Sequence, residues 1–196
     1  MGSRMSLVIA FIGRQGAVMA GDMREIITSG DDAATEILER ELYNGLIVTD
    51  EHLTTRAGAL RLSLTIRDDK RKVTHRDGIL VGEVSETRGG ITRKKRLYGT
   101  TGRYVLTGVT GPDIQVLGTG TASNFVVLGN QVTKQAARDC IREHWKNGGI
   151  QDAVRIIMMA MQRASERSAS VSGLYTLVQT PDTVSIDDVI ERDRRQ

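Results

Sequence analysis

Apolar runs in the first third of the chain predict several β-strands. Residues 6–12 (SLVIAFI) are rich in strand-forming side chains, and residues 17–20 (AVMA) follow after a GRQG turn, which predicts a hairpin. Residues 25–28 extend this prediction with a third short strand. Residues 60–66 alternate apolar and polar positions, as expected for a strand with one solvent-exposed face.

Helical spacing of apolar residues predicts two pairs of helices. The first pair lies within residues 31–59, where acidic residues fill the first turn and Asn44-Gly45 ends the first helix. The second pair follows residue 133, where KNGG separates a helix containing Cys140 from a longer helix over residues 150–168. Because the longer helix is apolar over most of its circumference, we expect other elements to cover it on more than one side.

The remaining segments predict further strands. Residues 71–86 are typical of a hairpin with an Asp77-Gly78 turn, and residues 174–179 of a final strand. The segment 89–129 is dense in Gly, Thr and Val and predicts short strands over residues 104–107, 114–117 and 125–128. Because two helices follow each other directly, the order disfavours a doubly wound parallel sheet. It favours an α+β fold in which helices pack outside antiparallel sheets.

Composition excludes several functional classes. With 196 residues, 39% of them apolar and 26% charged, the chain is expected to form one globular domain. A net charge of +3 and an aromatic content of 4% argue against a nucleic-acid-binding surface. No apolar stretch approaches the length of a membrane span. The single cysteine, Cys140, excludes an internal disulfide, fits a reducing cytoplasm and is expected to be a buried small hydrophobe.

Neither a metal ion nor a cofactor is expected. His52, His75 and His144 are widely spread and lack the spacing of metal ligands. The glycine-rich stretches GTTG and GTGTAS lack the preceding strand and following helix that a nucleotide-binding loop requires.

The start of the chain contains a candidate nucleophile. Residues 1–4 (MGSR) precede a second methionine, so we expect residues 1–5 to be a leader or tag. Once Met5 is removed, Ser6 carries its own α-amine, whose pKa of about 7.7–8.0 lets it accept the hydroxyl proton near neutral pH. With residues 1–5 retained, Ser6 has no free amine and the site is expected to be inactive.

Charged residues end the second strand of the hairpin. Asp22 and Arg24 are expected near Ser6, where Asp22 can orient the α-amine or a nearby lysine. A cation beside the hydroxyl would lower its pKa and stabilise developing negative charge. A turn cap or a surface ion pair is the alternative interpretation of Asp22.

These residues resemble the N-terminal hairpin of proteasome β subunits and other N-terminal nucleophile hydrolases. In that hairpin a Thr, Ser or Cys starts the chain and the second strand ends in Ala-x-Asp-x-Arg, which matches Ser6, Asp22 and Arg24. The resemblance implies a catalytic lysine at Lys72, in RKVTH, and an oxyanion-binding N–H at Gly82, in ILVGEV. It also implies a four-layer αββα sandwich of antiparallel sheets.

The resemblance sets the expected domain layout. Residues 6–181 would form a single proteasome-like catalytic domain with a helical insertion at about residues 31–59, which proteasome subunits lack. Residues 182–196 would be a polar C-terminal tail.

The segment MMAMQRASERSASVSGLYTLVQT is similar to the late helix, Ser/Gly loop and last strand of proteasome subunits. The aspartate expected in that loop is replaced by Ser168. Whether Ser168, Ser170 or Ser172 supports the α-amine is therefore left open.

The serine start, GDMREI, the acidic helical insertion and LVGEV narrow the resemblance to connectase, a proteasome-related protein ligase family of methanogenic archaea. This implies a transpeptidase that attacks a Lys-Asp-Pro-Gly-Ala motif in a methyltransferase subunit and holds the acyl group on its serine. The N-terminal Pro of a Pro-Gly-Ala peptide then takes that acyl group. The small C-terminal β domain of the family would have no room after Pro181.

Two other functions remain open. A plain amidase or protease could use the same site, and with residues 1–5 in place the chain could be a catalytically silent peptide-binding protein.

Ligation is favoured where the incoming amine is held in near-attack geometry. Residues 31–59 and the TRKKR segment, residues 92–96, are candidate walls of a pocket for the leaving peptide, although a solvated strand face is the simpler interpretation of residues 92–96. The oligomeric state is open, a monomer included.

Overall fold

The strands of the described residues form three antiparallel sheets. The structure, a computed structural model, describes residues 6–88 and 91–195, and the predicted leader, residues 1–5, lies outside them. A four-stranded sheet has the order β10-β1-β2-β11, a five-stranded sheet the order β5-β6-β7-β8-β9, and β3 pairs with β4. The strands are β1 (Val8–Ile12), β2 (Ala17–Asp22), β3 (Glu25–Ser29), β4 (Ser63–Arg67), β5 (Val73–Arg76), β6 (Ile79–Arg88), β7 (Ile91–Thr100), β8 (Arg103–Thr110), β9 (Asp113–Thr121), β10 (Asn124–Leu128) and β11 (Tyr175–Thr180). The helices are α1 (Asp32–Tyr43), α2 (Asp50–Ala59), α3 (Gln131–His144), α4 (Ile150–Ser165) and α5 (Ile186–Arg194). Within the described residues, none of the helices combines the length and apolar character needed to span a membrane.

Packing of the two larger sheets produces four layers. One face of the four-stranded sheet buries Ile9 against Ile157 of α4, and α3 packs beside it. The opposite face buries Met19 against Leu80 of the five-stranded sheet, whose outer face carries α5. Cys140 is buried between α3 and the first sheet, as expected. The predicted α+β sandwich of antiparallel sheets, in αββα order, is confirmed.

The polar end of the chain is not a tail, which corrects the prediction for residues 182–196. Ile186, Val189 and Ile190 of α5 are buried against the five-stranded sheet. These three side chains lie at i, i+3 and i+4, the spacing of one helix face. The charged residues that surround them make this short apolar stripe easy to overlook in the sequence.

The helical insertion has a small core of its own. Both predicted helices are present and capped, α1 by the side chain of Asp31 and α2 by that of Thr49. Leu38 and Leu53 pack together with Ile26 of β3. The insertion is thereby held against the strand that directly follows the first hairpin.

The Gly-rich middle of the chain contains longer strands than predicted. The segments 104–107 and 114–117 are parts of β8 and β9, and β7 runs through TRKKR. The Asp77-Gly78 turn is confirmed. Its two residues have φ values of 53° and 81°, as a two-residue hairpin loop of this type requires.

Candidate functional site

The first hairpin brings Asp22 next to the start of the described chain. Val8 lies opposite Gly21 in the β1–β2 pair, so Asp22 lies opposite Leu7. The Leu7 N–H donates to Asp22 Oδ1 at 2.7 Å, and the Asp22 N–H donates to the Leu7 carbonyl at 3.0 Å. Because Asp22 is completely buried, its carboxylate holds the chain one peptide bond after Ser6, which is itself half-buried.

Lys72 forms a buried ion pair with Asp22. Its Nζ lies 2.7 Å from Asp22 Oδ1 and donates to the Arg24 carbonyl, also at 2.7 Å. Burial lowers the pKa of Lys72 below the usual lysine range, and the charge of Asp22 opposes this shift. A Cβ at Gly21 would lie 2.8 Å from Val73 Cγ1 and 3.2 Å from Lys72 Cβ, so this glycine lets β5 approach β2 closely.

Arg24 connects this pair to three other segments through all five of its side-chain N–H groups. Nε and Nη2 donate to Asp68 at 2.9 and 3.0 Å, and Nη1 and Nη2 donate to Asp50. Nη1 also donates to the Ala169 carbonyl at 2.9 Å. Arg24 therefore joins the start of α2, the loop before Lys72 and the serine loop, residues 168–172, at one point.

The two carboxylates that bind Arg24 are not identified by the sequence analysis. Hydrogen bonds from Arg24 lower the pKa of Asp68. Asp50 and Asp68 each lie in a run of charged residues, TDEH and RDDKRK, where one carboxylate cannot be told from its neighbours.

The serines of the serine loop are buried but have different partners. The hydroxyls of Ser168 and Ser170 lie 2.7 Å apart, and Asn130 Nδ2 donates to Ser170 Oγ at 3.0 Å. Ser172 Oγ accepts the Leu174 N–H at 2.9 Å. Ser170 is thus tied to the start of α3, whereas Ser172 is tied to the start of β11.

The junction between β10 and α3 packs over the chain start. A Cβ at Gly129 would lie 3.2 Å from the Ser6 carbonyl oxygen and 2.8 Å from Thr133 Oγ1, so a larger residue would press on Ser6. Asn130 caps α3 by accepting the Thr133 N–H at 2.9 Å. The Gly-Asn pair before a helical pattern is a recognisable cap signal, but the sequence does not say that it faces Ser6.

Gly82 is not brought to the site in the way that the resemblance implies. The Glu83 N–H donates to the Lys72 carbonyl at 2.9 Å, toward β5. Because successive N–H groups of a strand point to opposite edges, the Gly82 N–H points toward β7, where its register partner is Leu97. A Cβ at Gly82 would lie 2.6 Å from Met19 Sδ, between the sheets. The oxyanion role predicted for this amide therefore has no support in the structure.

Ser6, Arg24 and Lys72 line one cavity of about 940 Å³. From the chain start it continues across the outer face of the five-stranded sheet to Asp193 of α5. Alternate residues of the 92–96 segment line it, so this segment is a wall of the cavity as well as a strand face. The other candidate wall, residues 31–59, contributes no residue to the lining. Within the described part of the chain, no cluster of three or more His, Cys, Asp or Glu side chains could hold a metal ion.

The chain is similar to one protein family and to several solved structures of low sequence identity. A family model described as "Connectase MJ0548-like, N-terminal domain" matches residues 5–195. No curated protein matches the chain. Similar solved structures include Anbu (ancestral β-subunit) from Yersinia bercovieri, at 9% identity and a TM-score of 0.42, covering 89% of this chain and 81% of that chain. The Anbu complex from Pseudomonas aeruginosa is 11% identical with a TM-score of 0.41, over 96% and 91% of the two chains. HslV from Trypanosoma brucei is 14% identical with a TM-score of 0.37, over 88% and 98%.

Proposed function

The chain belongs to the connectase family, and we propose that it is an N-terminal serine transpeptidase with Ser6 as nucleophile. One observation supports this most directly: the buried Asp22–Lys72 pair is anchored on the Leu7 amide, one peptide bond after Ser6, and Ser6 and Lys72 line the same cavity. A buried ion pair is costly to desolvate. A charged pair that is buried at one peptide bond from a candidate nucleophile, and that lines the same cavity, is typical of a catalytic site.

The first step forms an acyl-enzyme. Residues 1–5 are first removed, which frees the Ser6 α-amine. The hydroxyl proton passes to this amine while Ser6 Oγ bonds to the carbonyl carbon of the Asp-Pro bond in a Lys-Asp-Pro-Gly-Ala motif. The C–N bond to proline then breaks, and the proline nitrogen takes the proton. An ester on Ser6 and a peptide with a free N-terminal proline result.

The second step returns the acyl group to an amine. The N-terminal proline of a Pro-Gly-Ala peptide attacks the ester carbonyl, and the α-amine takes the proton that the proline nitrogen loses. The Asp-Pro bond forms as the ester C–O bond breaks, and the α-amine passes this proton to Ser6 Oγ. The Lys72 ammonium, held by Asp22, supplies positive charge as the carbonyl oxygen becomes negative. Arg24 organises the surrounding loops. Ser170 is the serine that the contacts favour as the support of the α-amine, because Asn130 ties it to the junction that covers Ser6.

Peptide exchange tests this proposal. Protein with residues 1–5 removed, as verified by intact mass, is mixed with a Lys-Asp-Pro-Gly-Ala peptide and a labelled Pro-Gly-Ala peptide. We expect a labelled exchange product and a transient mass increase on the enzyme. A Ser6→Ala variant should form neither, and protein that retains residues 1–5 should also be inactive.

Other outcomes would contradict the proposal. Loss of the acyl group to water without exchange would make the protein an N-terminal nucleophile hydrolase. A thermal shift with peptide but no product would make it a peptide-binding protein. Exchange by the Ser6→Ala variant would exclude Ser6 as the nucleophile.

A further inference from the structure

The cavity beside Ser6 has an electropositive floor that the reaction at Ser6 does not use. We propose that this floor binds an acidic segment of the polypeptide substrate, about three to five residues from the bond that Ser6 attacks. This inference rests on the proposed function, since only a substrate that acylates Ser6 must lie along this cavity.

The electropositive floor consists of side chains that the strand register places on one face of the five-stranded sheet. Glu83 of β6 is bonded to Lys72 through the backbone and lies opposite Arg96 of β7, while Ser85 lies opposite Lys94. Every second side chain of a strand lies on the same face of the sheet, and register partners share that face. Glu83, Ser85, Lys94 and Arg96 therefore all face the cavity that Ser6 lines. The sequence pattern TRKKR thereby places alternate residues of β7 along a path that starts at Lys72.

Charge on the floor is unbalanced. Among the described residues, five cationic side chains of the floor either pair with a carboxylate of the same cavity or have no carboxylate partner: Lys70, Arg71, Arg76, Lys94 and Arg96. They face three carboxylates, those of Glu25, Glu83 and Asp193. Lys70 pairs with Glu25 at 2.8 Å, Lys94 and Arg96 share Glu83 at 3.0 and 2.8 Å, and Arg76 and Arg96 share Asp193 at 3.0 and 2.9 Å.

Two positive charges are therefore left over. Arg71 is exposed, and no carboxylate of the described residues pairs with it. Lys94 and Arg76 keep 35% and 42% of their side-chain surface exposed, so a ligand carboxylate can reach them without breaking the existing pairs. Hydrogen bonds between a cationic side chain and a carboxylate are stronger than those between neutral groups.

Distance sets the expected position of the acidic residues. β7 is two strands away from β5, and strands lie about 4.8 Å apart, so Lys94 and Arg96 lie on the order of 10 Å from Lys72. An extended peptide covers about 3.3 Å per residue. A segment running from Ser6 across the floor would therefore meet these cations after about three residues. A nucleic acid carries a phosphate at every nucleotide, so some of its phosphates would meet Glu83 and Asp193, whereas a peptide can place single carboxylates on the cations.

Binding to the Ser6→Ala variant separates this inference from the proposed reaction, because no chemistry is needed. Fluorescent Lys-Asp-Pro-Gly-Ala peptides would carry Asp or, in matched controls, Asn at positions three to five residues before or after the Asp-Pro bond. We expect at least one Asp series to bind about fivefold more tightly than its Asn control, the effect of two exposed ion pairs. Raising the salt concentration should remove the difference.

Two variants locate the effect. The double substitution Arg71→Gln and Lys94→Gln should abolish the preference for Asp, while Arg155→Gln, an exposed arginine on α4, should leave it intact. Equal affinities for Asp and Asn peptides in both series would overturn the inference. So would a preference that survives Arg71→Gln and Lys94→Gln, or tighter binding of a single-stranded oligonucleotide than of any acidic peptide. Exchange assayed separately with unmodified Ser6 shows whether the proposed function stands in each case.

Discussion

Lys72 Nζ lies 2.7 Å from Asp22 Oδ1, and the same oxygen accepts the N–H of the residue that follows Ser6. One buried carboxylate oxygen thus fixes both the ammonium group and the chain start. Because all three groups belong to different segments of the sequence, folding of the sandwich assembles the site. The relationship predicts that stability and reactivity depend on the same pair.

Removal of Lys72 should affect both properties. Lys72→Met leaves Asp22 buried without its counter-charge, so we expect the free energy of unfolding to fall by about 3–5 kcal/mol. Acylation of Ser6 should slow by about 10²-fold or more, since a preorganised charge is lost. Denaturant unfolding and single-turnover acylation measure the two effects. As a control, Lys70→Met removes a more exposed lysine of the same loop and should cost less than about 1 kcal/mol. Equal costs for the two variants would contradict the assignment.

The pH dependence of acylation should be bell-shaped. The rate should rise as the Ser6 α-amine loses its proton at about pH 7.7–8.0 and becomes able to accept the hydroxyl proton. It should fall again as Lys72 loses its charge, and because burial lowers the pKa of Lys72, this limb should lie below the ordinary lysine value of about 10.4.

The matched variant for this profile is Lys72→Arg. A guanidinium stays charged throughout this range, so the alkaline limb should disappear even if the maximal rate is lower. An alkaline limb that is unchanged in Lys72→Arg would assign it to another group.

Loss of Asp50 should uncouple the helical insertion from the site. Asp50→Asn weakens two of the five Arg24 hydrogen bonds, and because the Asp50 side chain is 56% exposed, the cost to stability should be about 1 kcal/mol or less. Asp68→Asn, at a more buried carboxylate, should cost about 1–3 kcal/mol. Since both bind Arg24, the double variant should differ from the sum of the single variants. Glu51→Gln, the next residue of α2, is the control, and additive costs would argue against a shared role.

Asp193 should hold α5 in a pH-dependent way. Its Oδ2 accepts hydrogen bonds from Tyr98 at 2.7 Å, Arg96 at 2.9 Å and Arg76 at 3.0 Å. Burial alone would raise the pKa of Asp193, but these hydrogen bonds and charges outweigh it and lower the pKa. A carboxyl with a depressed folded pKa contributes stability above its unfolded pKa of about 3.9 and loses it as pH falls through the folded value.

Comparison of Asp193→Asn with the wild type tests this. At pH 7 the variant should be less stable by about 1–3 kcal/mol, and the difference should shrink below about pH 3.9. Denaturant unfolding at the two pH values provides the measurement. Asp188→Asn, exposed on the same helix, should change stability by less than about 0.5 kcal/mol. A difference that persists unchanged in acid would show that Asp193 acts through packing alone.

Local patterns in the sequence predict the elements whose signals are strong. The first hairpin, the two capped helices of the insertion and the Asp77-Gly78 turn all carry turn or cap residues together with regular apolar spacing. The layered fold follows from the order of these elements. In contrast, only three of the nine residues of α5 are buried apolar residues. The sheet face that buries them lies far away in the sequence, so the local pattern alone does not predict this helix.

Some residues of the site can be predicted from the sequence, and others are revealed only by the folded structure. Asp22 is predictable because a hairpin register connects it to the chain start, and Lys72 through the family resemblance. Asp50 and Asp68 are brought in by tertiary packing, and nothing local distinguishes them from ordinary surface residues. Asn130 carries a local cap signal, but its position near Ser6 also depends on tertiary packing. Gly82 shows the converse: its motif is present, but the strand that carries it continues past the position, so its amide remains directed into the sheet.

Ser6 and Arg194 line the same cavity, although they lie at opposite ends of the described chain. A fusion partner joined before Ser6 would remove its free α-amine, and one joined next to Arg194 would be tethered at the mouth of the substrate path, where its bulk competes with incoming peptides. Attachment to a solid support or a reporter dye is better directed to the solvent-facing side of α4, for example at Arg155. That surface lies on the outer helical layer opposite α5, so a label there leaves both the nucleophile and the electropositive floor open to peptides.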